Sequence, residues 1–285
     1  MIASAALVGV TAVWGYTFLV VQDAVARMPV MDFLAWRFLV ASVVMIALRP
    51  TCLRNVTRRE LLRGIGLGTI LGLGYITQTY GLRYTSVATS GFITGMFVVL
   101  TPVMSWMLLR RKTSRNTWMV IALATVGLAL LSLNGWSVGI GELLTLGCAI
   151  FFAIHIVGLG EWSSQYEPYA FSLLQIGAVA AISLIAATPE GIALPPNPEV
   201  WAVVGITGVL ATAVAFFVQT WAQSLVSATR AAVVMTMEPV FAGLFAVVIG
   251  GNRLTLRTIG GAACILAAMF IINPKSGRSD TRLKT

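Results

Sequence analysis

Charge is scarce in this chain of 285 residues: 10% are Asp, Glu, Lys or Arg, against 58% hydrophobic, and mean hydropathy is +0.90. A soluble domain of this size carries about a quarter charged residues, so water is excluded as the solvent for most of the chain. Histidine is nearly missing. His155 alone cannot build a metal site, and no Cys or carboxylate stands at ligand spacing around it. The three cysteines, Cys52, Cys148 and Cys264, lie in or beside apolar runs at spacings that fit neither a disulfide framework nor a zinc site. They read as small buried hydrophobes. An intramembrane enzyme would need a metal or nucleophile set such as HExxH or paired aspartates, and none is written here. We therefore expect no catalytic residues, no bound metal and no cofactor.

What the chain has in abundance is apolar length. A bilayer core of ~30 Å asks for roughly 20 apolar residues per spanning helix. Runs between charges, glycine clusters and prolines mark ten such segments, at 2–24, 31–49, 61–82, 86–109, 117–134, 139–159, 169–187, 200–222, 228–250 and 256–273. Connections are short, which leaves no room for an extramembrane domain. The opening MIASAALVGVTAVWG has no basic n-region, so it reads as the first spanning helix and not as a removed signal. The fold class expected is an all-α polytopic membrane protein with ten transmembrane helices.

The few charges set the orientation. Arg49, Arg54, Arg58, Arg59 and Arg63 lie between segments two and three, and Arg110, Arg111, Lys112 and Arg115 between four and five. With both termini in the cytoplasm, these loops, Arg230 and the four basic residues of the tail place 14 of 19 Lys and Arg inside. The positive-inside rule favours that arrangement, and the net charge of +9 needs no nucleic-acid partner. Five segments precede the midpoint and five follow it. Because five is odd, the second half enters the bilayer upside down relative to the first.

The halves also share text. QTYGLRYTSVATSGFITGMFVVLTPV (78–103) is echoed by QTWAQSLVSATRAAVVMTMEPV (219–240), at an offset of 141 for Gln78/Gln219 and 137 for Pro102/Pro239. The second copy is shorter by about one helical turn. WGYTFLVV (14–21) corresponds to FAIHIVGL (152–159), and RFLVAS (37–42) to QIGAVA (175–180), both at offset 138. The expected organisation is two inverted five-helix repeats, 1–135 and 136–274, and a disordered cytoplasmic tail, 275–285. Inverted repeats are how many transporters build a mid-membrane site that opens to either side.

These residues resemble the EamA-type transporters of the drug/metabolite transporter superfamily. The likeness rests on WGYTF (14–18), on GELLTLGCA (141–149) with FFAIH (151–155), and on MEPVFAGLFAVVIGG (237–251) followed by LTLRTIGGAACILAAMFII (254–272). Within that superfamily the chain is most similar to the YddG-type exporters of aromatic amino acids and related metabolites. Asn252 stands where the family commonly has an acidic residue, and the first repeat carries Thr101 where the second has Glu238.

Site candidates are polar or aromatic residues deep in apolar segments, costly unless they find a partner or a cavity. For substrate these are Trp14, Thr17, Tyr75, Gln78, Thr79, His155, Gln175, Phe216 and Gln219. His155 belongs to the helix pair, the first and sixth, that the resemblance places at the site. Trp118, Trp136, Trp162 and Trp201 lie near helix ends as interfacial anchors. For gating or coupling the candidates are Arg37, Glu238 and Pro239. Arg37 lies about two turns from the outer end of its helix and has the length to snorkel out. Glu238 precedes Pro239, so it is either part of a hinge or a proton-linked carboxylate. Gly64, Gly68 and Gly72 form a small-residue stripe for close packing or for sliding. The reading is a monomeric secondary exporter of small amphipathic metabolites, amino acids foremost, in a bacterial cytoplasmic membrane. The alternatives are a channel-like or lipid-handling protein and a proton-coupled multidrug exporter.

Overall fold

A computed structural model of the chain describes residues 1–132, 139–248 and 255–272. Among the described residues every regular element is helical. The tail at 275–285, Trp136 and Asn252 lie outside them. The helices are α1 (Ile2–Arg27), α2 (Val30–Leu48), α3 (Arg58–Gly81), α4 (Val87–Gly95), α5 (Phe97–Leu109), α6 (Arg115–Ser132) and α7 (Ile140–Trp162). There follow α8 (Pro168–Ala187), α9 (Pro198–Gly208), α10 (Ala215–Gln223), α11 (Ala228–Met235), α12 (Met237–Val248) and α13 (Leu256–Ile271).

Six helical stretches are long and apolar enough to cross a membrane, and a seventh if the arms of α1, Ile2–Phe18 and Val20–Arg27, which meet at 40°, count as one. Helix α3 is diluted by its six glycines, its three threonines and Gln78. Large apolar side chains face outward where a soluble protein would carry charge: Ile185 is 73% and Phe270 78% exposed. That surface suits lipid. The interior holds two apolar clusters. One centres on Phe33, Phe38, Leu71 and Ile176, the other on Leu7, Leu128, Phe97 and Ile265.

Three of the segments expected as single helices are interrupted. Segment 86–109 breaks at Met96 and segment 228–250 at Thr236. Each begins on a serine cap: Ser86 Oγ accepts from the Thr89 N–H at 3.1 Å, and Ser227 Oγ from the Arg230 N–H at 3.3 Å. Such a cap satisfies one of the orphan donors of a helix start. Helix α4 has nine residues and α11 eight, so caps and breaks stay nearly in step. Most of the missing turn therefore falls after the break. Pro102 sits well inside α5, whereas Pro239 lies in the first turn of α12, where a missing N–H deprives no acceptor.

The third interruption is a π-helical stretch, Val209–Val214, between α9 and α10. A wider turn leaves carbonyls without their usual partners, and such turns recur at functional sites.

Helix α3 packs on α7 and α8, α2 on α8, α1 on α10 and α12, and α6 on α13. Two crossings bring backbones together. A Cβ on Gly68 would stand 2.5 Å from the Gln175 carbonyl oxygen of α8, and one on Gly208 would stand 2.9 Å from the Arg37 carbonyl oxygen of α2. In lipid, where tails are as apolar as side chains, such close approach is a main source of helix association.

Candidate functional site

One cavity opens among α1, α2, α3, α7, α10 and α12, with about 680 Å³ of empty space, its open mouth included. Its wall is aromatic. Trp14 and Phe216 rings lie 5.6 Å apart between centroids, and Tyr75 stands edge-on to Phe152 at 5.4 Å and to Phe216 at 6.0 Å. Edge-to-face rings of this kind are rigid and leave apolar faces for a solute.

The polar groups come from both halves of the chain. Gln78 Nε2 donates to Thr94 Oγ1 at 3.3 Å, and Gln219 Nε2 donates to Gln223 Oε1 at 3.0 Å. Gln223 is anchored by its own bond to the Ile156 carbonyl, 2.8 Å. Gln219 Oε1 is buried and has no hydrogen-bond partner among the described residues. His155 Nε2 lies 2.7 Å from Gln175 Oε1, and Gln175 Nε2 donates to the Phe171 carbonyl at 2.8 Å. Because the amide nitrogen is committed to a carbonyl, Gln175 presents oxygen to the ring. That assigns the proton to His155 Nε2 and leaves Nδ1 as an acceptor.

The π-helical stretch stands behind the lining residues and holds two of them. The Ala211 carbonyl accepts from Trp14 Nε1 at 2.9 Å and from Arg37 Nη2 at 3.4 Å. Thr212 Oγ1 accepts from Arg37 Nε at 2.8 Å and donates to the Thr207 carbonyl at 2.9 Å. The guanidinium also lies over the Tyr75 ring, 4.8 Å from its centroid. Arg37 is 3% exposed. The snorkelling expected of it does not occur: acceptors across the helix interface hold the side chain inward.

Of the twelve residues named from sequence, Trp14, Thr17, Arg37, Tyr75, Gln78, Thr79, His155, Phe216, Gln219 and Glu238 line this cavity. Gln175 and Pro239 do not. Gln175 stands behind His155 and sets its tautomer, and Pro239 follows Glu238 along α12. Sequence reasoning missed Thr212 and the Ala211 carbonyl. Thr207 and Thr212, polar residues five apart in an apolar run, were the available signal. The Glu238 carboxyl makes no ion pair among the described residues.

The end of the bundle that carries most of the arginines is bridged between the halves of the chain. Arg49 pairs with Glu167 at 3.1 Å, Arg111 with Glu161 at 2.9 Å, and Arg63 donates to Tyr166 at 2.8 Å. Each bond joins the first half of the chain to the second. At the other end Arg27 pairs with Glu199 at 2.8 Å.

A lipid-facing helical bundle around a cavity that draws on both halves of the chain has the build of an integral membrane transporter. The sequence pattern of the EamA-like transporter family matches residues 1–133 and again 139–273, and the chain belongs to that family. An uncharacterized transporter of Archaeoglobus fulgidus is 33% identical over 265 residues, 93% of this chain and 83% of that protein. The uncharacterized transporter YoaV of Bacillus subtilis is 23% identical, with 93% of this chain and 94% of that one aligned. A crystal structure 17% identical in sequence superposes with a TM-score of 0.80 over 98% of each chain, a likeness of fold.

Proposed function

We propose that this transporter exports small amphipathic metabolites, aromatic amino acids favoured, by alternating access around the aromatic cavity. The observation that carries the reading is the cavity itself. Its rings and amides come from both family-matched segments, and few fixed charges face it. Such a wall suits apolar or zwitterionic solutes better than phosphates or nucleotides.

We infer ten spans in two inverted repeats. Added to the six long apolar stretches and bent α1 are α3 and two shorter apolar helices, Arg115–Leu130 and Leu256–Ile271. Three recurrences support the repeat: the Ser86 and Ser227 caps, the breaks at Met96 and Thr236, and the contacts of Gly68 with Gln175 and of Gly208 with Arg37. In the topology of the positive-inside rule the arginine-rich end is cytoplasmic. The protein acts as a single chain in the bacterial cytoplasmic membrane with both termini inside. The Arg49, Arg63 and Arg111 bonds bridge the two halves at its cytoplasmic end.

Proton-coupled export is the second reading, favoured by the Glu238 carboxyl on the cavity wall. The test is flux of labelled aromatic amino acids through purified protein in liposomes. Saturation, and acceleration by unlabelled solute on the opposite side, are expected of a carrier. Flux that grows linearly with concentration and ignores the opposite side would rule the carrier out in favour of a channel.

A further inference from the structure

We infer that Arg37 is the anion anchor of the cavity, and that the solutes it selects carry a carboxylate. The inference deepens the proposed function and rests on that reading of the cavity. Its origin is an incomplete set of partners. The guanidinium has five N–H donors. Nε is committed to Thr212, and Nη2 makes two long contacts, to Tyr75 at 3.5 Å and Ala211 at 3.4 Å. Nη1 has no hydrogen bond among the described residues, and no carboxylate there lies within ion-pair distance of Arg37.

A buried guanidinium without a counter-ion is expensive, because it has left water and received no opposite charge. The cost is tolerated at a site that a ligand completes. Arg37 borders the cavity beside Trp14, Tyr75 and Phe216. The Thr212 and Ala211 bonds and the Tyr75 ring fix the plane of the guanidinium, leaving one edge for a planar acceptor. A carboxylate fits that edge, since charge-assisted bonds to arginine are short, strong and often paired. Its apolar remainder then lies against the Trp14 and Phe216 rings. Lysine would not replace this residue, because an ammonium offers no rigid fork.

The test compares four solutes of matched ring and chain: phenylalanine, 3-phenylpropanoate, phenethylamine and phenylalaninamide. Binding to the purified full-length protein is read by tryptophan fluorescence at neutral pH. Both acids should bind about ten- to a hundredfold more tightly than the amine and the amide, the range expected for a hydrogen bond to a charged group. Arg37→Gln should bring the acids to the affinity of the amide, and Arg37→Lys should fall between. Should Arg37→Gln fail to fold, the four affinities of the wild-type protein decide alone. Amine or amide binding as tightly as the acids overturns the inference while leaving the carrier reading intact, as does an acid preference that survives in Arg37→Gln. Binding of none of the four overturns it too, and the flux experiment above then judges the carrier reading separately.

Discussion

Replacing Gly68 by alanine puts a methyl group where α3 and α8 touch through their backbones. The new Cβ would stand 2.5 Å from the Gln175 carbonyl oxygen, 2.8 Å from its Cα and 2.7 Å from the Ala178 Cβ. None of these atoms can turn aside as a side-chain tip can, so the helices must part. Overpacking typically costs about 1–3 kcal/mol. Alanine returns about 0.5–1 kcal/mol by holding the helix better than glycine. The net is a loss of about 1–2 kcal/mol, roughly a five- to thirtyfold fall in the folded population. Three glycines of the same helix serve as controls. At Gly64 the Cβ would meet the Leu174 Cβ at 2.7 Å, at Gly72 it would find nothing closer than 3.7 Å, and at Gly66 nothing lies within 4 Å. Unfolding of purified variants by sodium dodecyl sulfate in mixed micelles should rank Gly68→Ala lowest. Gly64→Ala should fall between it and the wild type, with Gly72→Ala and Gly66→Ala at or above the wild type. A Gly68→Ala protein as stable as the wild type would refute the packing argument. Equal losses at Gly66 and Gly68 would refute it as well.

Replacing Gln78 and Gln219 together by leucine should leave insertion at the wild-type level, because leucine is favourable in the bilayer, and remove most solute flux; normal flux would detach both amides from transport. Glu238→Gln keeps shape and polarity without charge, so flux down a solute gradient should survive with an unchanged response to an imposed pH difference. If wild-type vesicles concentrate solute on a pH difference alone and Glu238→Gln cannot, the carboxylate couples protons. A reporter fused at the C-terminus should be active only in the cytoplasm, and activity on the outer face would break the ten-span topology.

The helices were legible because a bilayer leaves few choices: each apolar run had to hold its own backbone bonds, and each segment is helical. Their interruptions were not legible in the same way. Gly95 directly precedes the break at Met96, but no glycine or proline precedes the one at Thr236, and Pro102 and Pro239 mark positions beyond the breaks. Arg37 was misjudged because distance from a helix end says nothing of acceptors on a neighbouring helix. Those acceptors exist through the wide turn at Val209–Val214, and that turn did leave a trace in the register of the halves. Gly68 and Gly208 make equivalent contacts at an offset of 140, while Gln78 and Gln219 stand at 141. The second half holds one residue more between those marks, and a π turn is how an α-helix absorbs one.

Under the alternating access proposed above, that extra residue would bias the molecule at rest. Halves of identical sequence would make a carrier that spends equal time open to each side. The wide turn has no twin, since α3 runs as unbroken α-helix from Arg58 to Gly81. Its bonds to Trp14 and Arg37 have no counterpart between α3 and Phe152 or Gln175, the residues that match them at offset 138. At about 1 kcal/mol net for each bond, the Trp14–Ala211 and Arg37–Thr212 pairs, if made in one facing alone, would together shift a two-state balance roughly thirtyfold. Under the alternating access proposed above, one residue added to one helix would then set which way the empty carrier waits.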